Sequence, residues 1–282
     1  MNKVKIITDS TNDLGFDLLN KLDILQIPLY VNFGEDSYRD CVDIDTEKLY
    51  QEVDKRGYLP KTSAISIDAL INVFKQYLDE GYDIVYTGIS KSMSRTFENA
   101  ILASKEFEEG RIYCVDSMNL STGIGLLLYK AAEDRDIGLS AKEIAANIEH
   151  NSKLVLSQFA IETMEYLHKG GRCSGVARFF GTMLKIKPII GVRDGKMSVI
   201  KKPIGKMKVA LDAMINQIIG DRDRLDKSRI FVTHSLAFEY CDYIKSKLEV
   251  EFPDVEIITT VAGCVISSHC GRGTIGILYM IK

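Results

Sequence analysis

Val4-Lys5-Ile6-Ile7-Thr8 runs straight into Asp9-Ser10-Thr11, an apolar segment stopped by small polar residues. Residues 4–8 read as a strand, and the apolar segments at 24–31, 83–89 and 111–115 repeat the pattern. Between and after them, residues 16–21, 46–56, 67–80, 95–108, 121–136 and 141–151 carry helical patterning. Short apolar strands alternating with helices predict an α/β fold on a doubly wound, mostly parallel sheet.

The second half departs from that alternation. Strands are expected at 155–160, 186–193, 197–204, 229–233, 256–261 and 274–280, with Asp194-Gly195 joining two of them as a hairpin. That sheet is expected to be mixed, with covering helices near 177–184, 206–219 and 237–251. The division falls near residue 153, giving an N-terminal α/β domain over 1–153 and a second α/β domain over 154–282. A chain of 282 residues is long enough for both.

Hydrophobic residues make up 46% and charged residues 27%, which excludes a disordered or collagen-like chain. Uncharged runs such as 119–129 are too short to span a bilayer, and the first residues lack a signal core, so a cytoplasmic protein is expected. Six scattered cysteines without C-x-x-C read as reduced structural thiols. Four histidines without H-x-x-x-H give no zinc motif. Charge, by contrast, is segregated. Residues 166–211 hold eleven bases and one acid, Asp194, whereas the remainder carries 25 bases and 38 acids. The basic segment points to an acidic partner, a phosphate or an anionic membrane surface. Nucleic acid is disfavoured, because the chain as a whole is acidic, with pI ≈ 5.9, and has no recognised binding module.

The patterns G-x-x-x-x-G-K-[ST] and G-x-G-x-x-G are absent, and no cofactor is expected. Gly88-Ile89-Ser90-Lys91-Ser92 breaks G-x-S-x-G at its last position, and the S-x-x-K match at Ser198-Val199-Ile200-Lys201 lies in an expected strand. Small hydroxyl residues collect at Thr8-Asp9-Ser10-Thr11, Thr62-Ser63, residues 90–96 and Asp116-Ser117, where strands give way to helices. In a doubly wound sheet the carboxyl ends of the strands form the ligand crevice, and helix N-termini there favour an anion. The competing reading of each hydroxyl is an N-cap. Lys169-Gly170-Gly171-Arg172 reads as a helix end followed by an arginine able to swing into a cleft. In His269-Cys270-Gly271-Arg272-Gly273-Thr274, two glycines beside a histidine allow close backbone approach.

Taken in order, Ile7-Thr8-Asp9-Ser10-Thr11, Thr62-Ser63, Ser94-x-Thr96, Lys169-Gly170-Gly171-Arg172, Lys187-Pro188-Ile189-Ile190 and His269-x-Gly271-x-Gly273-Thr274 resemble the DegV family of bacterial fatty-acid-binding proteins. The resemblance runs from about residue 3 to residue 281. It implies a two-domain α/β fold holding one long-chain fatty acid between the domains. For FakB-type members it implies presentation of the carboxylate to a separate FakA-type fatty acid kinase, which forms the acyl phosphate used in phospholipid synthesis. By position it implies head-group roles for Thr62 and Ser94, with Ser63 beside them and Arg172 and His269 near the carboxylate. Three positions depart from the family pattern. Its T-S-Q-P-S is Thr62-Ser63-Ala64-Ile65-Ser66 here, its S-G-T is Ser94-Arg95-Thr96, and Arg272 replaces the proline of H-x-G-P-G.

The physical reading agrees with that role. A buried carboxylate needs several donors at once, which two hydroxyls, an arginine and a histidine supply. At about 0.8 kcal/mol per buried CH₂, a chain of roughly sixteen carbons offers on the order of 12 kcal/mol before binding costs. The expectation is a carrier without catalytic activity of its own, contacting a kinase and, transiently, an anionic membrane. One alternative is a serine-dependent lipid hydrolase or acyltransferase using a serine near 90–94 with His269. Another is a binder of a different anionic lipid or a small carboxylate.

Overall fold

The computed structural model describes residues 2–174 and 186–282. The helix expected near 177–184 lies outside the described residues, as do Arg178 and Lys185 of the basic segment. The first half contains β1 (Lys3–Asp9), α1 (Phe16–Lys21), β2 (Ile24–Ile27), β3 (Tyr30–Phe33), β4 (Asp36–Arg39), α2 (Thr46–Arg56), β5 (Lys61–Ser63), α3 (Ile67–Asp79), β6 (Tyr82–Gly88), α4 (Thr96–Ser104), β7 (Ile112–Asp116), α5 (Thr122–Asp136) and α6 (Ala141–Asn151). The second contains β8 (Val155–Ala160), α7 (Glu165–Gly170), β9 (Cys173–Ser174), β10 (Ile189–Arg193), β11 (Lys196–Lys201), α8 (Met207–Gly220), β12 (Leu225–His234), α9 (Phe238–Glu251), β13 (Glu256–Val261), α10 (Cys264–Cys270) and β14 (Ile275–Ile281).

Among the described residues the strands form three sheets. The first is parallel throughout, in the order β2-β1-β6-β7, as the alternation of strands and helices predicts. Successive residues of β1 serve opposite faces: Ile6 packs toward α5, and Ile7 joins Leu70 and Phe74 of α3. The strand expected over 24–31 is instead two. Pro28 has no N–H for a ladder, so the chain leaves the sheet after Ile27. It then resumes as β3 in a small antiparallel sheet ordered β4-β3-β5. That sheet escapes sequence reading because β4 and β5 span only four and three residues. The helix α10 escapes it for the same reason, since seven residues give no periodicity.

The third sheet is mixed, in the order β13-β12-β14-β8-β10-β11-β9. Asp194 and Gly195, with φ of 49° and 73°, turn β10 into its antiparallel neighbour β11, as the Asp-Gly pair predicts. Both strands of this hairpin are shorter than expected. Pro188 and Pro203 supply no ladder donors, and beyond them Ile186 and Ile204 make only an isolated bridge.

Helix α5 sets how the two large sheets sit. It packs on β1 and β6 from one side and on β8, β12 and β14 from the other. A helix apolar on every side belongs in a core, and the uncharged run over 119–129 supplies it. Glycine permits both approaches: a Cβ at Gly125 would meet Leu14 Cδ2 at 2.6 Å, and one at Gly123 would meet Ser157 Oγ at 2.7 Å. One core therefore continues from Val4 and Val85, through Leu127, to Phe159 and Met280. Helices α3 and α4 close the outer face of the parallel sheet, and α8 and α9 that of the mixed sheet.

At the carboxyl end of β1 the residues Asp9-Ser10-Thr11 are buried and turn inward. Asp9 accepts the N–H groups of Thr11 at 3.0 Å and Ile89 at 2.9 Å. Ser10 Oγ donates to Asp40 at 2.7 Å. Ser121 Oγ donates to Asp13 at 2.6 Å. These three carboxylates are buried, and burial pushes their pKa values up, that of Asp13 to about 8. Burial raises the thiols of Cys173 and Cys241 to about 11. No described helix is long and apolar enough to cross a membrane, and no described group of His, Cys, Asp and Glu could hold a metal ion.

Candidate functional site

A cavity of about 230 Å³ lies between the two large sheets and the small one. It is lined by all five residues assigned to a carboxylate: Thr62, Ser63, Ser94, Arg172 and His269. Ser63, Arg95 and Arg172 are exposed and mark its mouth. Ile89, Met93, Leu120, Phe159, Val265 and Leu278 are buried and make an apolar bore.

The mouth residues arrive from four separate segments of the chain. Thr62 sits on β5, paired with Val31 of β3, so it is strand-borne rather than placed at a helix N-terminus. Ser63 accepts a hydrogen bond from Asn32 Nδ2 at 2.7 Å across the same ladder. Ser94 lies just ahead of α4; its Oγ accepts the Thr96 N–H at 3.3 Å and shares a 3.0 Å bond with Thr96 Oγ1. This is a local serine turn one residue ahead of the cap, which falls on Arg95 without a side-chain cap bond, so the N-cap reading does not hold for Ser94. Arg172 follows the end of α7, where Gly171 takes φ of 65° as the C-cap. Its Nη1 donates to the Gly170 carbonyl at 2.6 Å, and its Nε reaches toward the Met93 carbonyl at 3.5 Å.

His269 lies in the last turn of α10, and its Nε2 is hydrogen-bonded to Thr62 Oγ1 at 3.0 Å. Desolvation, with the Arg172 charge as the lesser cause, holds its pKa down at about 4, so the ring is neutral at pH 7. Its Nδ1 is buried without a hydrogen-bond partner. A Cβ at Gly170 would come within 2.4 Å of that nitrogen, so a glycine is needed for α7 to close over the ring. The first glycine of Lys169-Gly170-Gly171-Arg172 thus serves the histidine, and the second ends the helix.

The mouth therefore offers the guanidinium charges of Arg172 and Arg95, a neutral imidazole and hydroxyl groups, a donor set suited to a carboxylate. Among the described residues, no carboxylate meets His269 in the manner of a charge relay. Thr62 engages its Nε2, and the Nδ1 that a triad carboxylate would orient faces Gly170.

Sequence reading missed the wall contributed by the mixed sheet: Thr233, His234, Ser235, Gly276 and Met197. Its hydroxyls are taken up within the fold. Thr233 Oγ1 bonds Thr122 and Thr260, and Ser235 Oγ bonds Tyr50 and Ser267. His234 Nδ1 accepts the Ala237 N–H at 3.2 Å, and desolvation lowers its pKa. One signal was present: Phe231-Val232 running into Thr233-His234-Ser235 repeats the apolar-to-hydroxyl switch of Ile6-Ile7 into Thr8-Asp9-Ser10.

Known proteins share this architecture over its whole length. A DegV domain-containing protein of Clostridium perfringens is 34% identical over 281 residues, 99% of either chain. A Thermotoga maritima protein named fatty acid-binding protein is 31% identical over 280 residues, covering 97% of this chain and 96% of its own. The solved structure of a DegV family protein from Thermus thermophilus, described as binding fatty acid, superposes with a TM-score of 0.92 at 29% identity, over 99% of this chain and 100% of its own. Residues 3–282 also match the family pattern of the uncharacterised DegV proteins, so the chain belongs to the DegV family.

Proposed function

We propose that this protein binds one long-chain fatty acid in the cavity and presents its carboxylate to a separate kinase for acyl-phosphate formation. The carboxylate is held by Thr62, Ser63, Ser94, Arg172 and His269, between a unit over residues 1–153 and one over 154–282. The observation that carries this reading is a cavity joining the exposed Arg172 guanidinium, the desolvated His269 imidazole and hydroxyl groups to a bore of Ile, Leu, Met and Phe. The fatty acid binding ascribed to the Thermotoga and Thermus relatives supports it.

An exposed mouth leaves the head group within reach of a second protein. Lys201, Lys202 and Lys206 are exposed around the connection from β11 to α8, and β11 also lends Met197 to the cavity wall. Such a basic rim steers encounter with an acidic kinase face or an anionic membrane. In this reading the chain itself carries out no chemistry, and a fluorophosphonate probe labels none of its serines.

Denaturing extraction followed by mass spectrometry tests the binding step. The purified protein is expected to release close to one acyl chain per molecule, and excess palmitate or oleate to stabilise the stripped protein by about 3 kcal/mol. No acyl chain and no thermal shift would overturn the reading.

A further inference from the structure

We infer that Asp13 and Asp40 form a positioning clamp for His269, fixing the start of α10 so that the imidazole at its far end meets Thr62. This inference rests on the carboxylate-binding reading above, because it concerns the accuracy of the same mouth. At the start of α10, Gly263 N–H donates to Asp13 Oδ1 at 2.8 Å, and Cys264 N–H donates to Asp40 Oδ1 at 2.7 Å. The second oxygen of each carboxylate is tied elsewhere. Asp13 Oδ2 accepts from Ser121 at the head of α5, and Asp40 Oδ2 accepts from Ser10 just past β1. The start of the helix is thus joined to three separate parts of the first half.

The fit there is close. A Cβ at Gly263 would lie 2.9 Å from Cys41 Sγ and 3.3 Å from Oδ1 of both carboxylates. His269 follows Cys264 by about one and a half turns, roughly 8 Å of helix, short enough that a shift at the start reaches the ring undamped. Thr62 is carried by β5, in the same small sheet whose β4 runs into Asp40, so the clamp ties α10 to the sheet that bears Thr62. The 3.0 Å bond between Thr62 and His269 therefore registers any displacement of α10 relative to that sheet. A purely capping role for the two acids would affect stability regardless of His269, whereas a positioning role is coupled to it.

Calorimetric titration with palmitate, on protein stripped of lipid, separates these. Gly263→Ala and Asp40→Ala are each expected to weaken binding by about tenfold, while Asp40→Asn, which keeps an acceptor for Cys264 N–H, stays within about threefold. In a His269→Gln background, Gly263→Ala or Asp40→Ala costs less than about twofold more. Equal losses with and without His269, or unchanged binding in both single variants, would overturn the clamp. Should Asp40→Ala not fold, Gly263→Ala decides by the same comparison. Should the parent itself not bind palmitate, the carboxylate-binding reading fails, and NMR titration of His269 decides the clamp alone. A ring pKa moved up from about 4 by about one unit in Gly263→Ala supports it, and an unchanged pKa overturns it.

Discussion

This molecule holds two polar clusters, and they are built in opposite ways. Around Asp9, Asp13 and Asp40 the acceptors are buried and supplied with donors from the chain itself. Around His269 the groups are partly open, and one buried nitrogen has no partner. Similar residue types thus do different work. A cluster closed on itself holds the fold, and one left with unused donors can take a ligand.

That contrast is tested most severely at Asp9. Asp9→Ala strips acceptors from the buried N–H groups of Thr11 and Ile89 and from Thr11 Oγ1, and is expected to cost about 3–5 kcal/mol of stability. Urea unfolding of lipid-free protein checks this, and a loss below about 1 kcal/mol would erase the distinction between the clusters.

The mouth should respond the other way. Ser94→Ala and Thr62→Val are each expected to cost about 1.5–3 kcal/mol of fatty-acid affinity. Either variant binding within about twofold of the parent would remove that residue from the head-group site.

Titration sharpens the comparison further. The folded pKa of His269, about 4, lies below the ordinary 6.5, so the unfolded chain takes up the proton more readily. Stability from this residue is complete above pH 6.5 and is lost as pH falls toward 4. His269→Gln should remove about 1–3 kcal/mol of that acid-side decline, read as the difference between two stability-versus-pH curves. Superimposable curves would mean that the ring is not held neutral by its surroundings.

The smallest expected effect belongs to the rim. Reversing Lys201, Lys202 and Lys206 to Glu should slow kinase-dependent phosphorylation of the bound acid by about tenfold or less, and make the rate less salt-sensitive. Fatty-acid affinity should not change. A parental rate at every salt concentration would remove these lysines from the docking surface.

The parallel sheet was legible because three of its four strands are largely apolar runs of five or more residues set between helices. The mouth residues were legible because each belongs to a short motif with a chemical reason for its composition. Sequence could not tell which hydroxyl clusters face the cavity, because Ser10 and Ser94 both follow a strand and only tertiary packing sends one inward. Thr62 was expected near a helix start and sits on β5, since a three-residue strand leaves no pattern to read. The role of Gly170 was hidden as well, because it depends on a ring about a hundred residues further along the chain.

Because α5 is shared by both large sheets, the walls of the cavity cannot part like the jaws of a hinge. Separating the halves would tear apart Leu127, Phe159 and Val85 and expose a core, a far greater cost than moving a few side chains at the rim. Under the proposed function, an acyl chain would enter and leave by local displacement near the mouth, with the rest of the molecule kept rigid. The same shared helix makes unfolding a single event: denaturant should reveal one transition, with no intermediate in which either half stands alone.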